Sequence, residues 1–361
     1  MSQPVLDRLL VVGSASVHTW RFMAGIAPHA KELYLASNGE PPSELRPAKL
    51  AGICKLDFSL KALGSAARLA GFIDAIKPGL VHVHQANSVA WHALRALRGR
   101  AIPSVLTAWG SDVLLLPGQN ALMRRMVSAN LSAASALTAD SFYLAARMRE
   151  LAPSAAGIDI VYFGIDALPP APAPGRPKKA LSCRLHKPLY RIDAILDAWA
   201  AVEANPALAD WSLTVAASGP ETEALKAQAA RLKLQRVEFA GFVNSQRLAE
   251  LYAESRVFVS VPESDATSVS LLEAMGHGCL PVLSNLPANA EWVLDGVNGR
   301  IAADIATLPA VLAEALAWAG DDAALAEPVA INRRLVEARA LASANTARYV
   351  ALYRKLLSRP A

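Results

Sequence analysis

Two carboxylates and a run of hydroxyl side chains are the first candidates for chemistry in this sequence. Asp265 lies in a polar loop after the apolar run 257–261, and Glu273 follows eight positions later in a segment with helical spacing. Ser268 to Ser270 stand where that helix would begin, so their backbone N–H groups would point at whatever precedes the helix. Unpaired amides at the positive end of a helix favour an anion such as phosphate.

A carboxylate one turn into such a helix can accept hydrogen bonds from two neighbouring ribose hydroxyls. Glu273 has this position, and Asp265 would offer a second carboxylate to another group that carries hydroxyls. Phosphate, ribose and sugar contacts in one segment indicate a nucleotide-sugar. The alternative is that Glu273 is a solvated helix carboxylate, while Asp265 and Thr267 only start the helix.

The elements that must position these side chains follow an α/β pattern. Leu9 to Gly13 is a short apolar run stopped by glycine, which is typical of a parallel strand buried on both faces. Ligands bind such sheets at the carboxyl ends of the strands. Further strands are predicted at 32–36 and 77–84, near Ser104, Ala136, Asp159, Ala180, Trp211 and Val237, and at 257–261 and 280–283, with helices at 63–76, 120–131 and 333–357.

Composition narrows the class of protein. The 361 residues are enough for two domains, and no apolar run approaches the roughly 18 residues that a membrane span needs. The three cysteines (Cys54, Cys183 and Cys279) lie far apart without metal-ligand spacing, so we expect reduced thiols and no metal site. The net charge of +5 suits acidic partners, but the basic residues are scattered without aromatic interleaving, so nucleic acid is not expected.

The N-terminus and one basic helix bear on the cellular location of the protein. Met1 to Arg8 lacks the pattern of a secretory signal, so we expect a cytoplasmic protein. The predicted helix 120–131 carries Arg124 and Arg125 beside apolar residues. Such a pair is usually a solvated face, and the alternative is a weak contact with the inner face of a membrane.

The stretch from Asp265 to Val282 resembles the acid-x7-acid segment of retaining glycosyltransferases with the GT-B fold, the family 4 group. That segment commonly runs Glu-Gly-Phe-Gly-x4-Glu-Ala-Met-Ala-x-Gly-x-Pro-Val. Here it runs Asp265-Ala-Thr-Ser-Val-Ser-Leu-Leu-Glu273-Ala-Met-Gly-His-Gly-Cys-Leu-Pro-Val282. The first acid is one methylene shorter than usual, and Ala266 to Ser268 replaces Gly-Phe-Gly. The resemblance implies Glu273 on the ribose, Asp265 on donor-sugar hydroxyls, and a donor loop lined by Thr267, Ser268, Val269 and Ser270.

Other segments extend the resemblance over nearly the whole chain. Lys77 to His84 is similar to the family's Lys-Pro-Asp-Val-Val-His-Val-His, and His84 ends that strand while His82 is interpreted as a core histidine. Thr107 to Asp112 is similar to Thr-x-His-Gly-x-Asp, with Trp109 in place of the histidine. Trp109 cannot accept a proton, so it either stacks, donates one N–H or packs in the core. The resemblance implies that His84 and Asp112 face the reacting sugar.

The remaining site predictions also follow from the resemblance. Ala180 to Asp193 resembles the family's Gly-Arg-Leu…Lys-Gly-x-Asp loop, which implies Arg184 and Lys187 on the donor diphosphate. The family's lysine aligns with Tyr190, so Arg191 is the alternative second cation. Further donor contacts are implied at Ser218, Gly219, Phe242 and Val243, and acceptor-side residues at His18, Thr19 and Trp109.

The resemblance implies an α/β protein of the GT-B class: two Rossmann-like domains facing across a cleft, with the C-terminal helix crossing back to the first. We expect an acceptor domain at 1–168, a proline-rich linker at 169–179, a donor domain at 180–339 and the returning helix at about 340–361. The expected reaction moves a sugar from a nucleotide-diphosphate sugar to a hydroxyl with retention, without metal or further cofactor. The acceptor would be a sugar, glycolipid or growing polysaccharide in cell-envelope or exopolysaccharide synthesis.

Two other functions remain open from the sequence. Trp109 and the altered loop Ala266 to Ser268 are compatible with a protein that binds sugar nucleotides without transfer. A nucleotide-sugar epimerase shares the fold and is the second alternative.

Overall fold

The computed structural model describes residues 4–358, which form two compact α/β units. One unit contains the residues up to Phe163 together with the segment that starts at Ala342. The other runs from Gly164 to Leu341. Each unit has one wholly parallel sheet, which confirms the predicted pair of Rossmann-like domains.

The first unit alternates strands and helices along the chain. Its strands are β1 Leu6–Val12, β2 Ala30–Ser37, β3 Leu50–Lys55, β4 Leu80–His84, β5 Ser104–Thr107, β6 Ala136–Ala139 and β7 Ile158–Ile160. Their order in the sheet is β3-β2-β1-β4-β5-β6-β7. Its helices up to this point are α1 Val17–Ile26, α2 Ser65–Ile76, α3 Ser88–Ala96, α4 Ser111–Leu114, α5 Leu116–Gln119, α6 Ala121–Ala133 and α7 Phe142–Leu151.

The second unit repeats the scheme with six strands. These are β8 Lys179–Ser182, β9 Ser212–Ala216, β10 Val237–Gly241, β11 Val257–Ser260, β12 Leu280–Ser284 and β13 Arg300–Ala302. Their order is β10-β9-β8-β11-β12-β13. The helices are α8 Ile192–Glu203, α9 Thr222–Arg231, α10 Ser245–Glu254, α11 Val269–Gly276, α12 Pro287–Ala290, α13 Leu308–Ala319 and α14 Asp322–Arg339.

Strand order changes direction once in each sheet. In the first unit this happens between β1 and β4, and in the second between β8 and β11. The loops that leave neighbouring strands there diverge to opposite sides, which opens a crevice at the carboxyl ends where doubly wound sheets bind ligands. Residues after β1, β4, β8 and β11 are therefore the best-placed candidates for a site.

The C-terminal part of the chain differs from the single helix predicted at 333–357. Helix α14 ends at Arg339, Leu341 forms an isolated bridge with Ile165, and α15 Ala342–Leu357 follows. The helix α15 belongs to the first unit, as the resemblance implied. Its Tyr353 hydroxyl lies 2.6 Å from Nδ1 of buried His82, whose Nε2 lies 2.7 Å from Thr107 Oγ1. His82 is thus the satisfied core histidine that was expected; residues 359–361 of the predicted helix lie outside the described part.

The proline-rich segment expected as a linker at 169–179 is part of the second unit, whose boundary falls after Phe163 instead of at 168. Prolines cannot donate backbone hydrogen bonds, but their carbonyls can accept them. Arg333 of α14 donates to the carbonyls of Pro169 at 2.8 Å and Pro170 at 3.2 Å. Pro172 lies against Gly278, where an added Cβ would come within 2.6 Å of its ring. Hydrogen bonds and packing thus hold this segment on the unit's surface.

Sequence periodicity missed two edge elements. β3 has a mixed burial pattern and is interrupted by Gly52, and β13 has three residues, so neither gives a clear alternation. Between residues 4 and 358, none of the helices has both the length and the apolar character needed to cross a membrane.

Candidate functional site

Arg184 and Asp265 meet at the strand-order reversal of the second unit. Arg184 follows β8 and Asp265 lies in the loop after β11, and these strands are neighbours. Arg184 Nη2 donates to Asp265 Oδ2 at 2.7 Å, and their side chains are only 11% and 21% exposed. Burial raises the pKa of the Asp265 carboxyl, and Arg184 partly offsets this. Burial also opposes the charge of Arg184, but its neighbours outweigh it and its pKa is raised.

The same guanidinium crosses the start of α11. Arg184 Nη1 donates to the hydroxyls of Ser268 and of Ser270, the latter at 3.1 Å. Ser268 is the N-cap of α11, and no side chain caps the helix there. The first-turn amides of Val269 and Ser270 have no carbonyl within the helix to bond. A cation and the positive end of a helix dipole therefore stand side by side, an arrangement that attracts an anion.

Glu273 lies one turn further along α11, and a buried tyrosine orients its carboxylate. Tyr252 of α10 is 1% exposed, and its hydroxyl donates to Glu273 Oε2 at 3.1 Å. The same hydroxyl lies 3.1 Å from Cys183 Sγ, directly before Arg184. Burial raises the pKa of the Cys183 thiol to about 11, so this thiol stays protonated at neutral pH. Glu273 is thus adjacent to the Arg184 cluster and has an oriented carboxylate.

The loop after β9 packs closely on the loop after β8. A side chain at Gly219 would collide with the backbone carbonyl of His186, so glycine is required there by close approach. His186 is 1% exposed, and its Nδ1 lies 2.8 Å from Thr222 Oγ1. Its Nε2 is buried with no hydrogen-bond partner among the described residues. Ser218, at the tip of this loop, is exposed.

The other predicted donor residues differ in their exposure. Lys187 is exposed, and Arg191 is half-buried in a left-handed conformation (φ 52°) at the start of α8. Neither one is favoured as the second cation by these positions. Phe242 is 81% exposed after β10, and Val243 beside it is half-buried. Thr267 is buried and accepts from the indole N–H of Trp292 at 3.2 Å, so it helps to fix the loop.

His84 and Trp109 form the corresponding cluster in the first unit. His84 ends β4 at the strand-order reversal and is fully buried. Trp109 Nε1 donates to His84 Nδ1 at 3.2 Å, so the ring hydrogen of His84 resides on Nε2. His84 Nε2 is buried without a hydrogen-bond partner in residues 4–358. Burial, with a contribution from His18, lowers the pKa of His84 to about 3, so its ring is neutral.

Of the residues predicted for the acceptor side, His18 joins this cluster, with its ring centroid 5.5 Å from that of Trp109. Thr19 does not face outward: it is buried, and its hydroxyl donates to the Ser14 carbonyl at 2.7 Å. The buried Asp112 carboxylate accepts from the backbone amides of Ala86 at 2.6 Å and Trp109 at 3.0 Å. These contacts make Thr19 and Asp112 anchors of the loops around the cluster, and their predicted contacts with acceptor or reacting sugar stay predictions.

Sequence reasoning missed three residues that organise the site. Tyr190 lies beneath Arg184, whose guanidinium carbon is 4.4 Å from the ring centroid. Tyr252 orients Glu273, and His186 joins two loops through Thr222. Tyr190 was noted only as the position of the family's lysine, and Tyr252 lies within an ordinary amphipathic helix, so their types gave no signal.

Comparison with known proteins gives the class. Residues 8–141 match the family model described as Glycosyl transferase 4-like. Residues 177–322 match the family model described as Glycosyl transferases group 1. A sequence comparison with curated proteins finds no match.

Solved structures share the fold over almost the whole chain. HepE of Anabaena, solved with UDP and glucose, has a TM-score of 0.79 and 15% identity, covering 96% of this chain and 99% of that chain. Sucrose-phosphate synthase of Thermosynechococcus elongatus has a TM-score of 0.79 and 16% identity, covering 99% and 100%. The lipopolysaccharide outer core galactosyltransferase WaaB has a TM-score of 0.70 and 15% identity, covering 96% and 99%. The family matches and this fold support a glycosyltransferase of the GT-B type.

Proposed function

We propose that this protein is a retaining glycosyltransferase that moves a sugar from a nucleotide-diphosphate sugar to a hydroxyl acceptor. The second unit binds the donor and the first binds the acceptor. The arrangement that carries the proposal is the Arg184 guanidinium beside the start of α11, with Glu273 one turn further on. The solved relatives add support, since HepE was crystallised with UDP-glucose.

The diphosphate would replace part of the present contacts of Arg184. Its oxygens would accept from the guanidinium and from the amides of Ser268, Val269 and Ser270, with Lys187 or Arg191 as second cation. These donors would stabilise the negative charge that develops on the leaving diphosphate without a metal ion. Removal of one such donor typically raises the barrier by about 3–4 kcal/mol.

The sugar half of the donor would meet carboxylates and imidazole. Glu273 would accept from the ribose hydroxyls, and Asp265 from hydroxyls of the donor sugar once Arg184 turns to the diphosphate. His84, neutral and with its N–H on Nε2, would donate to a hydroxyl of the reacting sugar. His18 and Trp109 would line the acceptor side. Ser218, Gly219, Phe242 and Val243 would contact the donor nucleotide.

We place the reaction in the cytoplasm, at the inner face of the membrane, in cell-envelope, exopolysaccharide or glycolipid synthesis. WaaB acts, by its name, on lipopolysaccharide outer core, and this likeness supports an envelope acceptor. The acceptor would then be a sugar, a glycolipid or a growing polysaccharide.

The decisive experiment compares wild type with Glu273→Ala. Stability against thermal unfolding is first measured with uridine, guanosine and adenosine diphosphates and their sugars, because a ligand at 100 times its Kd adds about 2.7 kcal/mol. Transfer is then followed with the selected donor and a panel of acceptors. We expect that Glu273→Ala melts cooperatively but loses transfer; near-normal turnover in this variant contradicts the ribose contact.

Binding without transfer is the second candidate, and one observation favours it. The Arg184 guanidinium is already paired with Asp265 and with serine hydroxyls, so the site is partly neutralised. A pure binder would show donor affinity but neither transfer nor donor hydrolysis with any acceptor. Conversion of the donor sugar in the absence of an acceptor would indicate an epimerase instead.

A further inference from the structure

Acidic residues are sparse in one stretch of the first unit, while basic residues occur there at their usual frequency. Residues 59–133 contain eight Lys and Arg but two acids, whereas the rest of the chain contains 28 basic and 29 acidic residues. Of the two acids, Asp74 is paired with Arg100 at 2.6 Å, and Asp112 is buried in backbone hydrogen bonds. The whole positive excess of the protein therefore comes from this stretch.

An apolar groove of about 450 Å³ lies on the same stretch. Its walls come from the loop before α2 and from α3 and α6, and its rim carries exposed leucines. Leu60 is 37% exposed, Leu63 is 88% exposed and Leu122 is 66% exposed. Exposed leucines on two segments that line the same groove, the loop before α2 and helix α6, form an apolar surface, and such a surface typically marks a binding site.

Hydrogen bonds fix the loop that carries Leu60 and Leu63, so the exposure of these leucines is a defined feature of the fold. His92 of α3 is buried, and its Nε2 donates to the Ser59 carbonyl at 3.0 Å. The Asp57 carboxylate accepts from the Ser59 amide at 2.7 Å, and Ser65 Oγ donates to the Asp57 carbonyl at 2.6 Å. These bonds hold Leu60 and Leu63 in a defined turn.

A second cavity, of about 260 Å³, adjoins the groove and is lined by arginines. The two cavities share Trp91, Arg95 and Ala129, and the second adds Arg98 and Arg100. Arg95 lies over the Trp91 ring, with its guanidinium carbon 4.9 Å from the ring centroid. Within the described residues, neither Arg95 nor Arg98 forms an ion pair, whereas Arg100 is paired with Asp74. An apolar trough thus borders directly on a site with two uncompensated guanidinium groups.

We propose that this surface of the first unit binds anionic phospholipid at a bilayer surface. The apolar groove and its leucine rim contact the lipid chains, and Arg95 and Arg98 bind the phosphate of the headgroup. Arginine suits phosphate because its planar fork donates two parallel hydrogen bonds. Leu63 and Leu122 favour lipid over nucleic acid, since nucleic acid is bound through charge and aromatic stacking.

The test measures flotation of the full chain with vesicles, without donor or acceptor, so its outcome is independent of the proposed transferase activity. The vesicles are pure phosphatidylcholine or the same lipid with 30% phosphatidylglycerol. We expect binding to the anionic vesicles, weak binding to the neutral ones, and loss of binding as salt shortens the screening length. Equal binding to both vesicles, or to neither, overturns the proposal.

Charge variants locate the headgroup contact. Arg95→Gln/Arg98→Gln should weaken binding to anionic vesicles about 30-fold, from the usual gain per basic residue at such a surface. The control Arg231→Gln/Lys233→Gln removes the same two positive charges from exposed residues of the second unit, and it should have little effect on vesicle binding. If the first pair unfolds, Arg124→Gln/Arg125→Gln on α6 replaces it. An equal loss in the control pair, or binding to an RNA oligonucleotide but not to vesicles, contradicts the assignment.

Leucine variants test the apolar part with a matched control. Leu122→Ser removes a side chain that is 66% exposed, and Leu294→Ser removes one that is 67% exposed in the second unit. We expect about tenfold weaker vesicle binding for Leu122→Ser, from the apolar area that the bilayer would cover. Leu294→Ser should bind like wild type. Unchanged binding of Leu122→Ser would exclude the groove as the lipid contact.

Discussion

Arg184 donates to the Asp265 carboxylate across 2.7 Å, so the guanidinium proposed to bind a diphosphate already has an internal counterion. Both side chains follow neighbouring strands of the second unit and are largely shielded from water. A diphosphate at Arg184 would come close to a carboxylate, and like charges repel strongly in such a setting. Asp265 would therefore compete with a donor phosphate for the same cation.

The first prediction concerns this competition. Asp265→Asn should bind uridine diphosphate more tightly, by about tenfold, because a competing negative charge is removed while an acceptor oxygen remains. The same variant should transfer sugar more slowly, because the hydroxyl contacts of the carboxylate are weakened. Calorimetric titration and initial rates measure the two effects. Asp265→Glu, which restores the acid usual in the family, is the control and should retain transfer.

Weaker diphosphate binding by Asp265→Asn would contradict this account. It would mean that the carboxylate is needed to hold Arg184 in place, and that its repulsion of the phosphate is the smaller effect.

The second prediction concerns the orientation of Glu273. Tyr252→Phe removes the hydroxyl that donates to Glu273 Oε2 and leaves the buried ring in place. We expect the donor KM to rise about fivefold with little change in kcat, since one hydrogen bond contributes about 1 kcal/mol. Steady-state rates over a range of donor concentrations measure both constants.

The control for Tyr252 is Tyr353→Phe. Tyr353 is also buried and bonded to one side chain, His82, but it lies in the first unit. Tyr353→Phe should lose similar stability without a change in donor KM. An equal KM change in both variants, or an added effect of Tyr252→Phe in a Glu273→Gln background, would show that Tyr252 does not act through Glu273.

The fold was predictable because its signals are local. Apolar runs such as Leu9 to Val12 and Val257 to Ser260 give buried strands, and the loops that follow their carboxyl ends contain the candidate residues. The motif from Asp265 to Glu273 gave the start of α11 within one residue. The local spacing of apolar and polar residues was therefore sufficient to predict where the strands and the helix at the strand-order reversal lie in the sequence.

The contacts within the site were not predictable for the opposite reason. Arg184 pairs with Asp265 over 81 positions, and Tyr252 reaches Glu273 from another helix. Only tertiary packing brings these side chains together, and the residue types alone do not predict the contacts. The break at Ala340 was missed similarly, because helical periodicity continues across it while the bridge of Leu341 to Ile165 ends the helix.

The third prediction concerns Trp109, which stands where the family commonly has histidine. Trp109→Phe keeps an aromatic ring but removes the N–H that donates to His84 Nδ1. We expect the His84 hydrogen to exchange between its two nitrogens and transfer to fall five- to tenfold, the equivalent of about one hydrogen bond. Nitrogen NMR shifts of His84 report the tautomer, and rates report the transfer. If the tautomer changes and the turnover does not, the N–H of His84 plays no part in the transfer.

The last prediction concerns acid stability. Burial holds the pKa of His84 near 3, below its ordinary value of 6.5, so only the unfolded chain takes up this proton between those values. Protonation then favours unfolding, and stability falls as pH drops from 6.5 towards 3, by up to about 1.4 kcal/mol per pH unit for this group. His84→Gln should reduce the slope of the pH dependence over that whole window in urea denaturation, while buried His82, whose pKa burial also lowers, keeps its own contribution. His277→Gln is the comparison, because burial lowers the pKa of His277 to about 4 and its effect should end near that pH. A slope that is identical in wild type and His84→Gln would mean that the His84 ring is exposed to solvent protons in the folded protein.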